Sequence, residues 1–507
     1  MKLDRRKNAI RNVFFGIVLR FYNMLMPFIM RSVMIYTLGI DYLGLNGLFV
    51  SVLQILNLAE LGVGSAMIFS MYKPIAEQNT SKICALINLY RYYYRIIGGV
   101  ILFLGLLLLP FIPYMISGDV PTDINIYVVY LLNLSGTVFS YWFLAYRNSI
   151  LRAHQREDVV SKITMLTVTI QYGIQFLVLY FLHNYYYYVI AILFTQILNN
   201  VLTAIASRHM YPNMYPYGEV SGHEKSLINQ RIKDLFTAKL GGTILNSADT
   251  LVISTFLGLK ILAMYQNYYL IMNAVMSLFT VFFSSILAGV GNSLITEDRE
   301  KNFRDFERVT FIVFVLMAVC MSEMLILYQP FMELWVGQDL MLDMNVVILL
   351  CVYFFVVEYV MLVSLYKDAG GVWHADRLRP LISGLINLGV NLFAVNYWGL
   401  YGVIISTIIS SGFVSAPWVT YNVFKLMFIG KEKIYLKGLL ENFVVIILSM
   451  ISSYFVSSII YTNGIIGILI RFLLVLVVSL VVISVYHMKK IKELGLKQLY
   501  FNMLRRT

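Results

Sequence analysis

Apolar residues run along this chain in fourteen stretches, each long enough to cross a bilayer, with short polar segments between them. The spans are read at 13–38, 42–71, 96–116, 124–146, 163–182, 186–206, 236–258, 261–291, 309–329, 344–366, 379–397, 400–424, 438–461 and 464–486. Roughly 20 apolar residues cover a hydrocarbon core at helical rise. Lipid offers no partner for an unpaired backbone group, so the spans are predicted to be helices, and the period-two alternation of a membrane barrel is absent. An all-α polytopic membrane protein follows, with two six-helix lobes around a central cavity and two extra C-terminal helices. Helices 1–6 fall in residues 1–220, helices 7–12 in 221–424, and helices 13–14 with a tail in 425–507.

The polar positions orient the chain. Thirty-four of the 39 Lys and Arg residues lie in the two terminal segments and the even-numbered loops. The alternate loops near 117–123 and 330–343 carry Asp119, Asp123, Glu333, Asp339 and Asp343 instead. Cytoplasmic loops collect Lys and Arg, so both termini are expected in the cytoplasm. The net charge of +12 is thereby assigned to orientation rather than to nucleic acid. The basic N-terminal segment precedes an apolar stretch too long and too interrupted for a cleaved signal, and is read as the start of the first helix. Composition adds weight, since 59% of residues are hydrophobic and 13% charged, against about 45–50% apolar in a soluble domain. The tyrosine runs 92–94 and 185–188 fall at predicted helix ends, where an interfacial belt is the plain reading.

A shift of 219 residues superposes the spans and the inner loops of the two halves. It also aligns Val33, Leu38, Gly39, Leu43, Ser65 and Lys82 with Val252, Leu257, Gly258, Leu262, Ser284 and Lys301. Six helices return each half to the same side, which gives parallel repeats of the kind used by transporters with a central cleft.

Chemistry of other kinds is thin. No Gly-x-x-x-x-Gly-Lys-Ser/Thr loop exists to wrap nucleotide phosphates, and the lone Gly430-Lys431 pair has Lys425 and Glu432 at the other key positions. Cys84, Cys320 and Cys351 have no paired or metal-like spacing, so neither a metal site nor a cofactor is expected. No catalytic residues are assigned, because His154, His183 and His374 are scattered and no outer loop is long enough for a catalytic domain.

The informative residues are charges inside spans, where an ionisable group costs about 2.5–3.5 kcal/mol and commonly faces a polar interior. Arg20 and Arg31 share the first helix. Eleven residues bring the helix back to within about 20° of the same face and set the two roughly 16 Å apart, with Asn23 and Pro27 between them on that stripe. Pro27 removes one intrahelical hydrogen bond and permits a hinge. Guanidinium forks match phosphate oxygens, so Arg20, Arg31 and Asn23 are candidate diphosphate contacts, with snorkelling to the headgroups as the plain alternative. Arg471, near the outer end of the fourteenth helix, is a weaker candidate for a lipid groove. Glu60, Asp249 and Glu358, with the shallower Glu323, each need a partner or a proton. The first three are candidates for gating or ion coupling, with Asp249 placed to face Arg31, and static ion pairs are the alternative.

The segments 37–49 (TLGIDYLGLNGLF), 57–78 (beginning LNLAELGVGSAM) and 246–254 (NSADTLVIS) resemble the oligosaccharide flippases of the polysaccharide biosynthesis family. These form the Wzx-type branch of the multidrug/oligosaccharidyl-lipid/polysaccharide exporter superfamily. The resemblance rests chiefly on Glu60-Leu61-Gly62 and Tyr72-Lys73-Pro74 and covers most of the chain in topology. It implies a two-lobed protein of the bacterial cytoplasmic (inner) membrane. Such a protein moves an undecaprenyl-diphosphate-linked oligosaccharide from the inner to the outer leaflet by alternating access. The product would feed a cell-surface polysaccharide such as capsule, O-antigen or exopolysaccharide, with a polymerase and glycosyltransferases of the same pathway as partners. In related lipid II flippases, first-helix arginines line the cavity and the two extra helices form a groove for the lipid tail, which marks Arg20, Arg31 and helices 438–461 and 464–486. The membrane potential, Na+ or H+ would each serve as the drive. A multidrug-type exporter is the alternative, though its preference for cations held by first-helix acids is unmet here. A membrane polymerase or glycosyltransferase would need a larger outer loop.

Overall fold

In the computed structural model, residues 5–118, 120–460, 462 and 464–488 are described. Asp119 and the basic tail after 488 lie outside them. Among the described residues there is no strand. The helices are α1 (Arg5–Thr37), α2 (Ile40–Leu56), α3 (Val63–Ala76), α4 (Thr80–Leu108), α5 (Ile126–Trp142), α6 (Asn148–Ala153), α7 (Glu157–Leu177) and α8 (Tyr185–Met210). They continue as α9 (Gly222–Leu257), α10 (Leu259–Thr296), α11 (Arg299–Val336), α12 (Met344–Ala369), α13 (Trp373–Asp376), α14 (Arg379–Ile409), α15 (Ala416–Leu426), α16 (Glu432–Ser457) and α17 (Gly464–Tyr486).

All fourteen expected spans have a helical counterpart. Among the described residues eleven continuous helical stretches are long and apolar enough to cross a membrane, or twelve if the bent pair Ile126–Trp142 and Ala145–Ala153 is one span. The stretch Trp373–Leu426 holds two expected spans, parted at Gly399 (φ 54, ψ −130). The last is α9, whose first half carries His223, Glu224, Lys225, Arg231, Lys233 and Asp234. The helices also outrun the apolar spans. Most of the expected loops 72–95 and 292–308 is helical, because Asn79 and Asp298 cap α4 and α11 by accepting from the Lys82 and Lys301 amides. A capped polar turn is stable outside the hydrocarbon once the rest of its helix is in place.

By Cα proximity the chain divides into Met1–Ala263 and Met264–Thr507. α9, expected to open the second half, packs on α2 and α3 of the first unit. Gly62 lies against Leu235 and Ile232 of α9, and just past the far end of α9 Gly44 lies against the backbone of Leu259, the first residue of α10. α16 and α17, expected as an appendage, lie along α11 within the second unit, where Ser322 meets Ser449 at 3.1 Å and Ser453 meets Ser479 at 3.3 Å.

The 219-residue offset recurs in the backbone. Ile40 and Leu259 start α2 and α10, Thr80 and Arg299 start α4 and α11, and their caps Asn79 and Asp298 keep the same spacing. Each unit also clasps a buried aspartate beside an arginine near the start of a long helix, Asp158 in the first turn of α7 and Asp376 just before α14. Asp158 takes both forks of Arg156 at 2.9 and 3.2 Å, with Arg11 at 3.8 Å. Asp376 takes Arg379 at 2.8 and 2.9 Å, with Lys367 at 3.4 Å. The Asp158 carboxylate holds Arg156 above its ordinary range.

Gly39 (φ 110) and Gly258 (φ 90) end α1 and α9 in backbone that side chains adopt at about 1–3 kcal/mol. A Cβ at Gly39 would meet open space, whereas one at Gly258 would lie 2.8 Å from the Ser117 carbonyl oxygen. Both Gly→Ala changes are expected to lower thermal stability in detergent, and Gly258→Ala by more. Equal losses would show that the Ser117 contact yields freely.

Candidate functional site

α1 is one continuous helix through Pro27, and the first unit holds it from one side. Asn12 donates to the Gln155 carbonyl at 3.0 Å and accepts from the Asp158 amide at 2.8 Å. Lys162 lies 4.1 Å above the Phe15 ring, and Tyr22 meets Tyr172 at 6.3 Å. Exposed Phe14, Ile17, Phe21, Leu25 and Ile29 form an apolar stripe at spacings of three and four. At 100° per residue, Arg20, Asn23, Pro27 and Arg31 centre roughly 130° around the helix from that stripe. Arg20 and Asn23 are exposed, and Arg31 is half-buried. Among the described residues Arg20 makes no salt bridge. The arginine face of α1 is therefore a face other than its apolar one.

Arg31 interacts electrostatically with Tyr188 of α8, one of four consecutive tyrosines. The four tyrosines of that run differ in burial. Tyr185 and Tyr188 are buried, and only Tyr187 is largely exposed, because positions three apart share the inward face of α8. Their rings stack at 5.8 Å, Tyr185 meets Tyr42 at 5.2 Å, and the Tyr42 hydroxyl donates to Asp123. An aromatic wall thus runs from Arg31 to an acid in the loop before α5.

Glu60 owes its position to a break. α2 tightens into a 3-10 turn over Asn57–Glu60, and Gly62 at φ 90 redirects the chain into α3. Glu60 Oε1 accepts from the Tyr94 hydroxyl at 3.4 Å, which is joined to Tyr90 at 2.6 Å. The Tyr141 ring packs edge-on against Tyr94 at 5.3 Å. Lys239 of α9 and Arg152 of α6 are its cationic neighbours. Tyr94 thus hydrogen-bonds a half-buried carboxylate, a contact that tyrosine composition alone does not reveal.

The remaining candidates are dispersed. Asp249 is buried in α9 beside Ser247 and Thr250. Glu358 is fully buried in α12 of the second unit, and neither of its carboxylate oxygens has a hydrogen-bond partner. Both oxygens of Glu323 on α11 share that condition, as do Thr310 Oγ1 and Asn442 Oδ1 on α11 and α16. Arg471 donates from Nη2 to the Ile460 carbonyl at 2.9 Å, tying α17 to the end of α16. The Cys residues are free thiols, and no group of three metal-ligating side chains occurs among the described residues.

Three solved structures fix the fold. The lipid II flippase MurJ in an inward closed conformation superposes with a TM-score of 0.69 at 15% identity, covering 94% of this chain and 100% of its own. The chain has the MurJ and MATE fold. An inward-facing multidrug resistance MATE transporter of the MOP superfamily gives 0.62 at 15% identity over 80% of this chain and 97% of its own. A MATE crystal structure in the bent conformation gives 0.53 at 16% over 82% and 95%. Neither a family model nor a curated protein matches the sequence.

Proposed function

We propose that this chain is a flippase that moves a polyprenyl-diphosphate-linked oligosaccharide from the cytoplasmic to the outer leaflet by alternating access, for a cell-surface polysaccharide. The observation that carries the reading is the first helix. It holds Arg20 and Arg31 on a face turned away from its apolar stripe, and no Asp or Glu occurs anywhere in Arg5–Thr37. Guanidinium groups suit a diphosphate and repel the cations that an acidic helix would collect. The extent of the structural likeness supports the same choice. MurJ covers 94% of the chain, whereas the MATE structures leave about a fifth of it uncovered, a share close to that of residues 425–507.

In this reading Arg20, Arg31 and Asn23 contact the diphosphate and Pro27 is the hinge. Glu60, facing Lys239 and Arg152, closes the inner side, with Asp249 as a second gating acid. Glu358 is the coupling candidate, since a buried carboxyl with no hydrogen-bond donor on either oxygen needs a proton or an ion to offset its burial. The membrane lipids and the enzymes that build and polymerise the glycan are the partners.

Vesicles of reconstituted protein carrying a labelled undecaprenyl-diphosphate oligosaccharide test the activity, with a membrane-impermeant glycosidase reporting which leaflet holds the sugar. The expected result is protein-dependent transfer. The likeness to the MATE structures favours a second reading, export of another solute. Efflux of cationic dyes from the same vesicles, with the glycan left in place, would replace the first reading with the second.

A further inference from the structure

A glutamate carboxylate keeps one direction only if something fixes it, because the terminal torsion of the side chain is broad. Glu60 is fixed by donors on a turn that is itself held. The 3-10 turn Asn57–Glu60 is gripped at both ends by tyrosine hydroxyls of neighbouring helices. Tyr141 of α5 donates to Asn57 Oδ1 at 3.2 Å, and Tyr94 of α4 donates to Glu60 Oε1 at 3.4 Å. The Gly64 amide, in the first turn of α3, is a further donor to the carboxylate. The proton order is set as well. Tyr90, one helical turn before Tyr94, donates to its hydroxyl at 2.6 Å and so leaves the Tyr94 proton for Glu60. Hydrogen bonds in such a chain strengthen one another.

The rings hold Tyr94 independently of its hydroxyl. Tyr90 is buried, its ring 4.3 Å from that of Tyr94, and the Tyr141 ring stands edge-on to Tyr94 at 5.3 Å. Gly64 supplies the remaining wall. A helix favours alanine over glycine, yet a Cβ here would lie 3.0 Å from Glu60 Oε1 and 3.1 Å from Tyr90 Oη, tighter than ordinary contact. Glycine therefore lets the carboxylate lie against the start of α3. The cationic neighbours come from two other elements, Lys239 of α9 and Arg152 of α6. Arg152 is shared with Glu157 at 3.4 Å, so Lys239 is the principal cation that Glu60 answers. Attraction between the two falls with separation, and the direction of the carboxylate sets that separation.

Building on the flippase reading, in which Glu60 closes the inner side, we propose that Tyr94 is a positioning residue of that gate: with Tyr90 and Gly64 it holds one oxygen of Glu60 so that the carboxylate faces Lys239. Tyr94→Phe keeps both ring contacts and removes the donor. In the vesicle assay it should slow flipping about tenfold, and it should do nothing more in protein that already carries Glu60→Ala. Gly64→Ala keeps every hydroxyl and improves helix propensity, yet should slow flipping in the same Glu60-dependent way. A structural role would cost the same with and without Glu60, whereas a positioning role shows as non-additivity. Hydrogen exchange over residues 57–66 gives a reading that needs no transport. Tyr94→Phe should speed it, again only while Glu60 is present. Wild-type flipping and exchange in Tyr94→Phe would overturn the positioning role, as would equal losses in the two backgrounds. Flipping absent from the wild-type protein would fall instead on the flippase reading, and the exchange comparison would still decide what Tyr94 does.

Discussion

Replacing both first-helix cations, Arg20→Ala with Arg31→Ala, is expected to slow flipping of a diphosphate-linked glycan by about two to four orders of magnitude. A hydrogen bond to a charged group contributes about 1.5–3 kcal/mol, so two arginines contribute about 3–6 kcal/mol, and each 1.4 kcal/mol is tenfold. Arg→Lys at either position keeps the charge and loses the planar fork, and should cost less than alanine. Arg471→Ala is the control. Its guanidinium donates to the Ile460 carbonyl, so its loss should lower the stability of the α16–α17 pair and slow flipping far less than loss of the two first-helix arginines. The vesicle assay reads all three, normalised to folded protein. Wild-type rates in the double variant would remove the two arginines from the substrate path.

Much of the fold was legible because lipid leaves few choices. A run of apolar residues in a bilayer must be helical, and the spacing of Lys and Arg separated the loops. What the sequence hid was decided by polar contacts over distance. α4 begins at Thr80, sixteen residues before the apolar run, because a single asparagine cap starts a helix that hydropathy cannot register. The repeat was almost invisible in residue identities, yet Gly39 and Gly258 share a backbone conformation that few residues other than glycine adopt. α9 meets the first unit closely at Gly62, and Leu259 just beyond it lies against Gly44, and nothing in a one-dimensional pattern says which helix a glycine will meet.

The candidate site was legible in type and less so in setting. A charge in an apolar run is conspicuous, which is why Arg20, Arg31, Glu60 and Glu358 stood out. Their neighbours did not. Tyr188 beside Arg31 and Tyr94 on Glu60 belong to tyrosine runs whose residues divide between inward and outward faces, so composition suggested one role where the helix supplies two. The acids also differ in a way that sequence cannot express. Glu60 has a tyrosine donor and cationic neighbours, whereas Glu358 has no hydrogen-bond partner for either oxygen.

Collapsing the membrane potential should abolish net export even with the protein intact. A diphosphate carries roughly two negative charges, and each charge moved through 100 mV is worth about 2.3 kcal/mol. An inside-negative potential therefore favours the outer leaflet by about 4–5 kcal/mol, or about three powers of ten in the distribution. Vesicles clamped at zero potential with a potassium ionophore should equilibrate the glycan near one to one, and restoring an inside-negative potential should restore the bias. The buried carboxyl of Glu358 separates this electrical drive from a chemical one. If Glu358 also carries a proton, a pH gradient at zero potential will bias the wild-type protein. Glu358→Gln, which keeps the shape and cannot ionise, will then lose the pH response while keeping the electrical one. A distribution indifferent to potential in both proteins would end the electrical account. A pH response that survives in Glu358→Gln would move the proton to another residue, with Glu323, whose two oxygens are also unpartnered, the next to replace.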